Sequence, residues 1–155
     1  MDRAVLVAIC VLLTGAQAVA QTAKELVGTY TFVHEVRELD GKQTTIEAKG
    51  ILIFDPNGNY TLTIIAPNVP KVASNNRMTA TPDEAKAIVA ATTAHFGIFS
   101  VSENNLIFKI DRASFPNWNG IEQKRPFTLS GDELTYSVAA ASGGGSIKLT
   151  WKRIR

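Results

Sequence analysis

Eight short runs in which alternation of apolar and polar residues dominates, turn-forming residues between them and one stretch of helical periodicity predict a mainly β protein. The architecture expected is an eight-stranded up-and-down antiparallel barrel with one helix inserted between the third and fourth strands, eight being a number that closes a sheet around side chains or one small ligand. The expected strands span 26–39, 50–55, 59–65, 96–101, 106–111, 121–129, 134–139 and 146–153.

Each strand is read from its own alternation, which divides it into an inward and an outward face. The first places Tyr30, Phe32, His34 and Val36 inward; the second is apolar on both faces, so its facing stays open. The third turns in Tyr60, Leu62 and Ile64, the fifth Leu106, Phe108 and Ile110, and the sixth Ile121, Gln123, Arg125, Phe127 and Leu129. The seventh contributes Leu134, Tyr136 and Val138, and the last Ile147, Leu149, Trp151 and Arg153 against Lys148, Thr150 and Lys152. The helix is expected over 82–95: Thr81 caps it, Pro82 suits the first turn, Glu84 completes a capping box and Gly97 follows its end. His95 then sits at the helix C-terminus, in favourable contact with the dipole.

Connections alternate between short and long. Residues 56–58, 102–105 and 130–132 are tight, polar and rich in turn formers, whereas 40–49, 66–95, 112–120 and 140–145 are long. In an up-and-down barrel the short turns share one end and the long connections the other, so one end is closed and the other an elaborated mouth. The helix is expected to lie over that mouth as a lid, beside a flap carrying Phe115 and Trp118.

Residues 1–20 have the layout of a cleavable leader: Arg3, an apolar run from Ala4 to Leu13, and Ala18-Val19-Ala20 before a cleavage point at Gln21. Export to a periplasmic or secreted location is therefore expected, with 21–155 as the barrel domain. The apolar run is too short for a membrane span, which needs about 20 residues, and none later comes closer. Cys10 is lost with the leader, so the mature chain has neither disulfide nor thiol chemistry. Its 15 basic and 13 acidic residues are interspersed, leaving no basic patch for nucleic acid. Two distant histidines without cysteine or a tight acidic cluster argue against a zinc site, and Gly143-Gly144-Gly145 lacks the Lys-Ser/Thr that a phosphate loop requires, so no metal or cofactor is expected.

Gly28-Thr29-Tyr30, Phe96-Gly97-Ile98-Phe99, the stretch Phe115-Pro116-Asn117-Trp118-Asn119-Gly120 with Gln123-Lys124-Arg125, Gly131-Asp132-Glu133-Leu134 and the final Trp151-Lys152-Arg153 follow one another at a characteristic spacing. Together they resemble the lipocalin-like domain family of small calycin-type barrels. The sequence departs from that pattern where Tyr30 replaces the usual tryptophan, and in the helix lying between the third and fourth strands rather than after the last. The resemblance implies a ligand-binding barrel of lipocalin type, among relatives that include carriers and enzymes.

Within such a barrel Tyr30, Trp151 and Arg153 should form a structural plug at the closed end, an arginine packed on aromatic rings. His34 and Arg125 should share a level ~13 Å above it at about 3.3 Å per residue, with Gln123 one inward step nearer the mouth. A buried arginine is costly unless paired, and the expected inward set holds no carboxylate. Arg125 is then satisfied by Gln123, tyrosine hydroxyls and water, or by a ligand carboxylate gripped by its fork. The expected binding set is His34, Arg125 and Gln123 for the polar end of a ligand, Phe32, Leu62, Phe108 and Tyr136 for its apolar part, and Phe115 and Trp118 at the mouth. Three functions fit: an extracytoplasmic binding protein for a small apolar molecule, with or without a carboxylate; an isomerase or cyclase in which His34 or a tyrosine moves a proton; and a protein-interaction module with a filled barrel.

Overall fold

The computed structural model describes residues 21–154; the expected leader, with Cys10, lies outside them, as does Arg155. A short helix, α1 (Ala23–Leu26), precedes nine strands: β1 (Gly28–Leu39), β2 (Lys42–Ile46), β3 (Lys49–Phe54), β4 (Asn59–Ile65), β5 (Thr92–Ser102), β6 (Asn105–Ala113), β7 (Glu122–Ser130), β8 (Glu133–Val138) and β9 (Ser146–Arg153). A second helix, α2 (Pro82–Ala91), joins β4 to β5. All neighbours are antiparallel, in the order β2-β1-β3-β4-β5-β6-β7-β8-β9, and a β1–β9 pairing closes the sheet.

The barrel nevertheless has eight staves. β9 occupies one edge of β1 from Tyr30 to Glu38, so β2 and β3 must share the other, β3 along Gly28 to Thr31 and β2 along Glu35 to Leu39. Their registers differ by one residue, which makes them a single stave interrupted at Glu47 and Ala48. β2 was expected to be part of a loop. It forms because Asp40 and Gly41, with φ of 51° and 72° and so close to a primed turn, reverse the chain in two residues. Its own sequence, Lys-Gln-Thr-Thr-Ile, is almost wholly exposed and carries little apolar alternation.

Two bulges decide which residues face inward. On β1 Phe32 pairs with Trp151 and His34 with Thr150, leaving Val33 as the extra residue. Beyond it the inward positions become Glu35, opposite Leu149, and Arg37, opposite Ile147. The expected inward facing of His34 and Val36 is thereby corrected: an added residue inverts the alternation that the sequence shows. On β6 Asp111 is the extra residue between Ile110 and Arg112.

The helix begins where its caps predict. Thr81 Oγ1 accepts from the Glu84 amide at 3.3 Å, and Glu84 Oε2 accepts from the Thr81 amide at 2.8 Å. It stops at Ala91, four residues early, since β-branched Thr92 and Thr93 start β5 against Ile65 and Ile64. His95 therefore lies on a strand and inside the barrel, not at a helix end.

The closed half is solidly packed. Tyr30, Leu52, Phe54, Leu106, Leu134 and Trp151 are at most 1% exposed, and Phe54 packs against Phe99 at 4.5 Å and Tyr30 at 5.9 Å between ring centroids. Leu26 of α1 is fully buried beneath them, and the Tyr30 hydroxyl donates to the Leu26 carbonyl at 2.9 Å. Arg153 lies 5.0 Å from the centroid of the Tyr30 ring and donates to the carbonyls of Val27 and Glu25. Tyr30, Trp151 and Arg153 thus occupy one end of the barrel, with α1 folded across it.

Candidate functional site

A cavity of about 220 Å³ occupies the half of the barrel nearer the long connections. Leu62, Ile64, Phe108, Tyr136, Val138, Ile147 and Leu149 supply its apolar walls. Trp118, from the β6–β7 connection, and the segment Ala140 to Gly143 complete the rim. Pro116–Trp118 is a single 3-10 turn, tied to the barrel by the Ala113 amide donating to Asn119 Oδ1 at 2.8 Å. No residue of α2 lines the cavity, so the expected lid is supplied by these two loops rather than by the helix.

Polar groups enter this space from three strands. Arg125 and Gln123, two apart on β7, share an inward face, and Arg125 Nη2 donates to Gln123 Oε1 at 2.5 Å. Arg125 Nη1 donates to the Lys124 carbonyl at 3.4 Å, and the guanidinium has no carboxylate partner among the described residues. Burial lowers the Arg125 pKa, with the neighbouring Tyr136 acting in the opposite sense; an arginine remains charged regardless. On β1 Arg37 donates through Nε and Nη2 to Glu35 Oε1 at 3.1 and 2.9 Å, and through Nη1 to the Gly144 carbonyl at 3.3 Å, tethering the rim loop.

The third contribution is His95 on β5. Its Nδ1 lies 2.8 Å from the Tyr60 hydroxyl, and its ring stands edge-on to Phe108 and Trp118 at 5.6 and 5.9 Å. Burial, aided by the positive charge of Arg125, pushes its pKa down to about 4, so the ring is neutral near pH 7. Burial pushes the Tyr60 hydroxyl well above its usual range, so it keeps its proton and can donate it to Nδ1, leaving hydrogen on Nε2. Tyr136 is likewise held protonated by burial. The Trp151 indole nitrogen reaches hydrogen-bonding geometry with no described group, and its approach to the Tyr136 hydroxyl is only a weak polar contact beside that desolvation.

The lipocalin-like domain family matches residues 27–154, nearly the whole described chain and all nine strands. The chain belongs to the lipocalin-like domain family. A comparison with curated proteins finds no match. Among solved structures, one of a redesigned beta barrel is similar, with a TM-score of 0.48 and 14% identity over 90% of this chain and 100% of that one.

In this lipocalin-like barrel Arg125, Gln123, Leu62, Phe108, Tyr136 and Trp118 meet around one space. His34, Phe32 and Phe115 do not line it. The β1 bulge turns His34 to the outer face, Phe32 is buried deeper against Trp151 at 5.1 Å, and Phe115 packs against Trp118 at 5.4 Å. Glu35, Arg37 and His95 line the cavity and were missed. The first two follow an unsignalled bulge. His95 was hidden by apolar spacing that continues from the helix into β5, where the pair Thr92-Thr93 was the available sign of a strand.

Proposed function

We propose that this lipocalin-like domain is an extracytoplasmic binding protein that holds a small apolar molecule bearing a carboxylate in the open half of its barrel. One observation carries the reading: the Arg125 guanidinium reaches a cavity with walls that include Leu62, Ile64 and Phe108, and its hydrogen-bond partners are only amide and peptide oxygens. A ligand carboxylate would give it the charge-assisted pair that the fold withholds. The family's barrel supports a ligand-binding role in general terms.

Export rests on the leader read at 1–20. The position of Gln21 is compatible with cleavage before it, since its side chain exchanges hydrogen bonds with the Leu129 backbone at 2.5 and 3.0 Å and so belongs to the folded unit. N-terminal analysis of exported protein should find Gln21 first; retained Met1 would reject that boundary.

The binding role is tested with Arg125→Met, hexanoate and its methyl ester. The stem's packing is largely kept, so the acid should lose about 1.5 to 3 kcal/mol per charge-assisted bond while the ester loses little. Equal losses for both would remove the carboxylate from the reading.

A further inference from the structure

Three properties of the cavity, its volume, its walls and its charge balance, define the ligand more narrowly. The volume of about 220 Å³ is small beside the roughly 300 to 1,000 Å³ of sites for drug-sized ligands. A long acyl chain cannot extend downward, because Phe54, Phe99, Leu106 and Trp151 fill the barrel beneath. Its alternative would be to project past Trp118 into water, forfeiting the burial that favours an apolar ligand.

The walls suit a flat ring. His95, Phe108, Trp118 and Tyr136 already meet edge to face, with Phe108 and Tyr136 at 5.8 Å and 65° and His95 and Trp118 at 5.9 Å and 90°. Such an array offers both edges and faces to one more aromatic ring.

The charges lining the cavity are Arg125, Arg37 and Glu35. Glu35 and Arg37 neutralise each other at 2.9 Å, which leaves one net positive charge, on Arg125. Glu35 lines the same cavity as Arg125 and Tyr136, so its carboxylate faces the space that a bound anion would occupy. We propose that the cavity selects a single-ring aromatic monocarboxylate, with its carboxylate on Arg125, its ring among Phe108, Trp118 and Tyr136, and a lining whose single net positive charge, set by Glu35 offsetting Arg37, is matched by one carboxylate and not by two. This selection rests on the binding role proposed above.

The experiment is calorimetric titration of the folded chain with benzoate, methyl benzoate, phthalate, palmitate and inorganic phosphate, repeated for Glu35→Gln. Benzoate should bind best, with phthalate weaker by about tenfold or more from like-charge opposition inside the site. Glu35→Gln should close most of that gap, while the ratio in the unsubstituted protein tests charge selection without any variant. Palmitate binding as tightly as benzoate would overturn the size selection and leave the binding role standing. Phthalate equal to benzoate in the unsubstituted protein would overturn the charge selection, and phosphate equal to benzoate would reduce the site to a bare anion site. If no organic probe binds, the binding role fails with the selection.

Discussion

His95 links the site to the stability of the fold. Its folded pKa of about 4 lies below the 6.5 of a free imidazole, so between those values the unfolded chain takes up a proton that the native chain refuses. The stability it contributes is therefore fully present above about pH 6.5 and falls as pH drops toward 4, by an amount on the order of 3 kcal/mol at about 1.4 kcal/mol per pKa unit. His95→Gln keeps a polar partner for Tyr60 and removes the titration. Denaturant unfolding at pH 7.5 and 4.5 should then show a much smaller pH difference in the variant, and an unchanged difference would place the acid sensitivity elsewhere. Arg125 and Gln123 were legible in the sequence because β7 runs without a bulge from its first residue to its last paired one. His95 was not, because a helical reading of the same spacing placed it outside the barrel.

At the scale of elements, the strands that kept a strict two-residue period were read with the correct faces, as β4, β8 and β9 show with Leu62, Tyr136 and Trp151 all buried. The errors sit where backbone geometry overrides pattern. A bulge adds one residue without any side-chain signature, so nothing in Phe32-Val33-His34-Glu35 announced that the inward set would pass from His34 to Glu35. The β5–β6 pair offers a direct test of such geometry. At Gly97 an added Cβ would lie 2.1 Å from the Lys109 carbonyl oxygen and 2.9 Å from the Asp111 amide, which is the bulged residue of β6. Neither obstacle is a flexible side chain, so the strands must separate to admit even a methyl group. Gly97→Ala should cost about 1 to 3 kcal/mol, in the range of overpacking, measured as a lower urea midpoint. An unchanged midpoint would show that the strands are not held this closely.

The whole molecule divides into a packed half that keeps the barrel closed and an open half that forms the cavity. The end asymmetry was legible from loop lengths, but the filling of one half was not, since alternation tells which way a side chain faces and not how much volume remains between facing side chains. This division predicts that stability and binding can be perturbed separately. Leu26 is wholly buried at the closed end, where α1 covers Tyr30 and Arg153 is bonded to the Glu25 and Val27 carbonyls. Leu26→Ala would leave a cavity beneath a layer already tied by these bonds, so it should destabilise by about 2 to 5 kcal/mol. The cavity wall from Leu62 to Trp118 lies at the other end, and its affinity for benzoate, measured well below the unfolding transition, should be nearly unchanged. Trp118→Leu should show the reverse. The side chain is only half-buried on a 3-10 turn, while it forms one wall of the cavity and stacks edge-on against His95, so binding should weaken more than stability. If Leu26→Ala weakens benzoate binding as much as Trp118→Leu does, the two halves are mechanically coupled, and the closed end must be treated as part of the site.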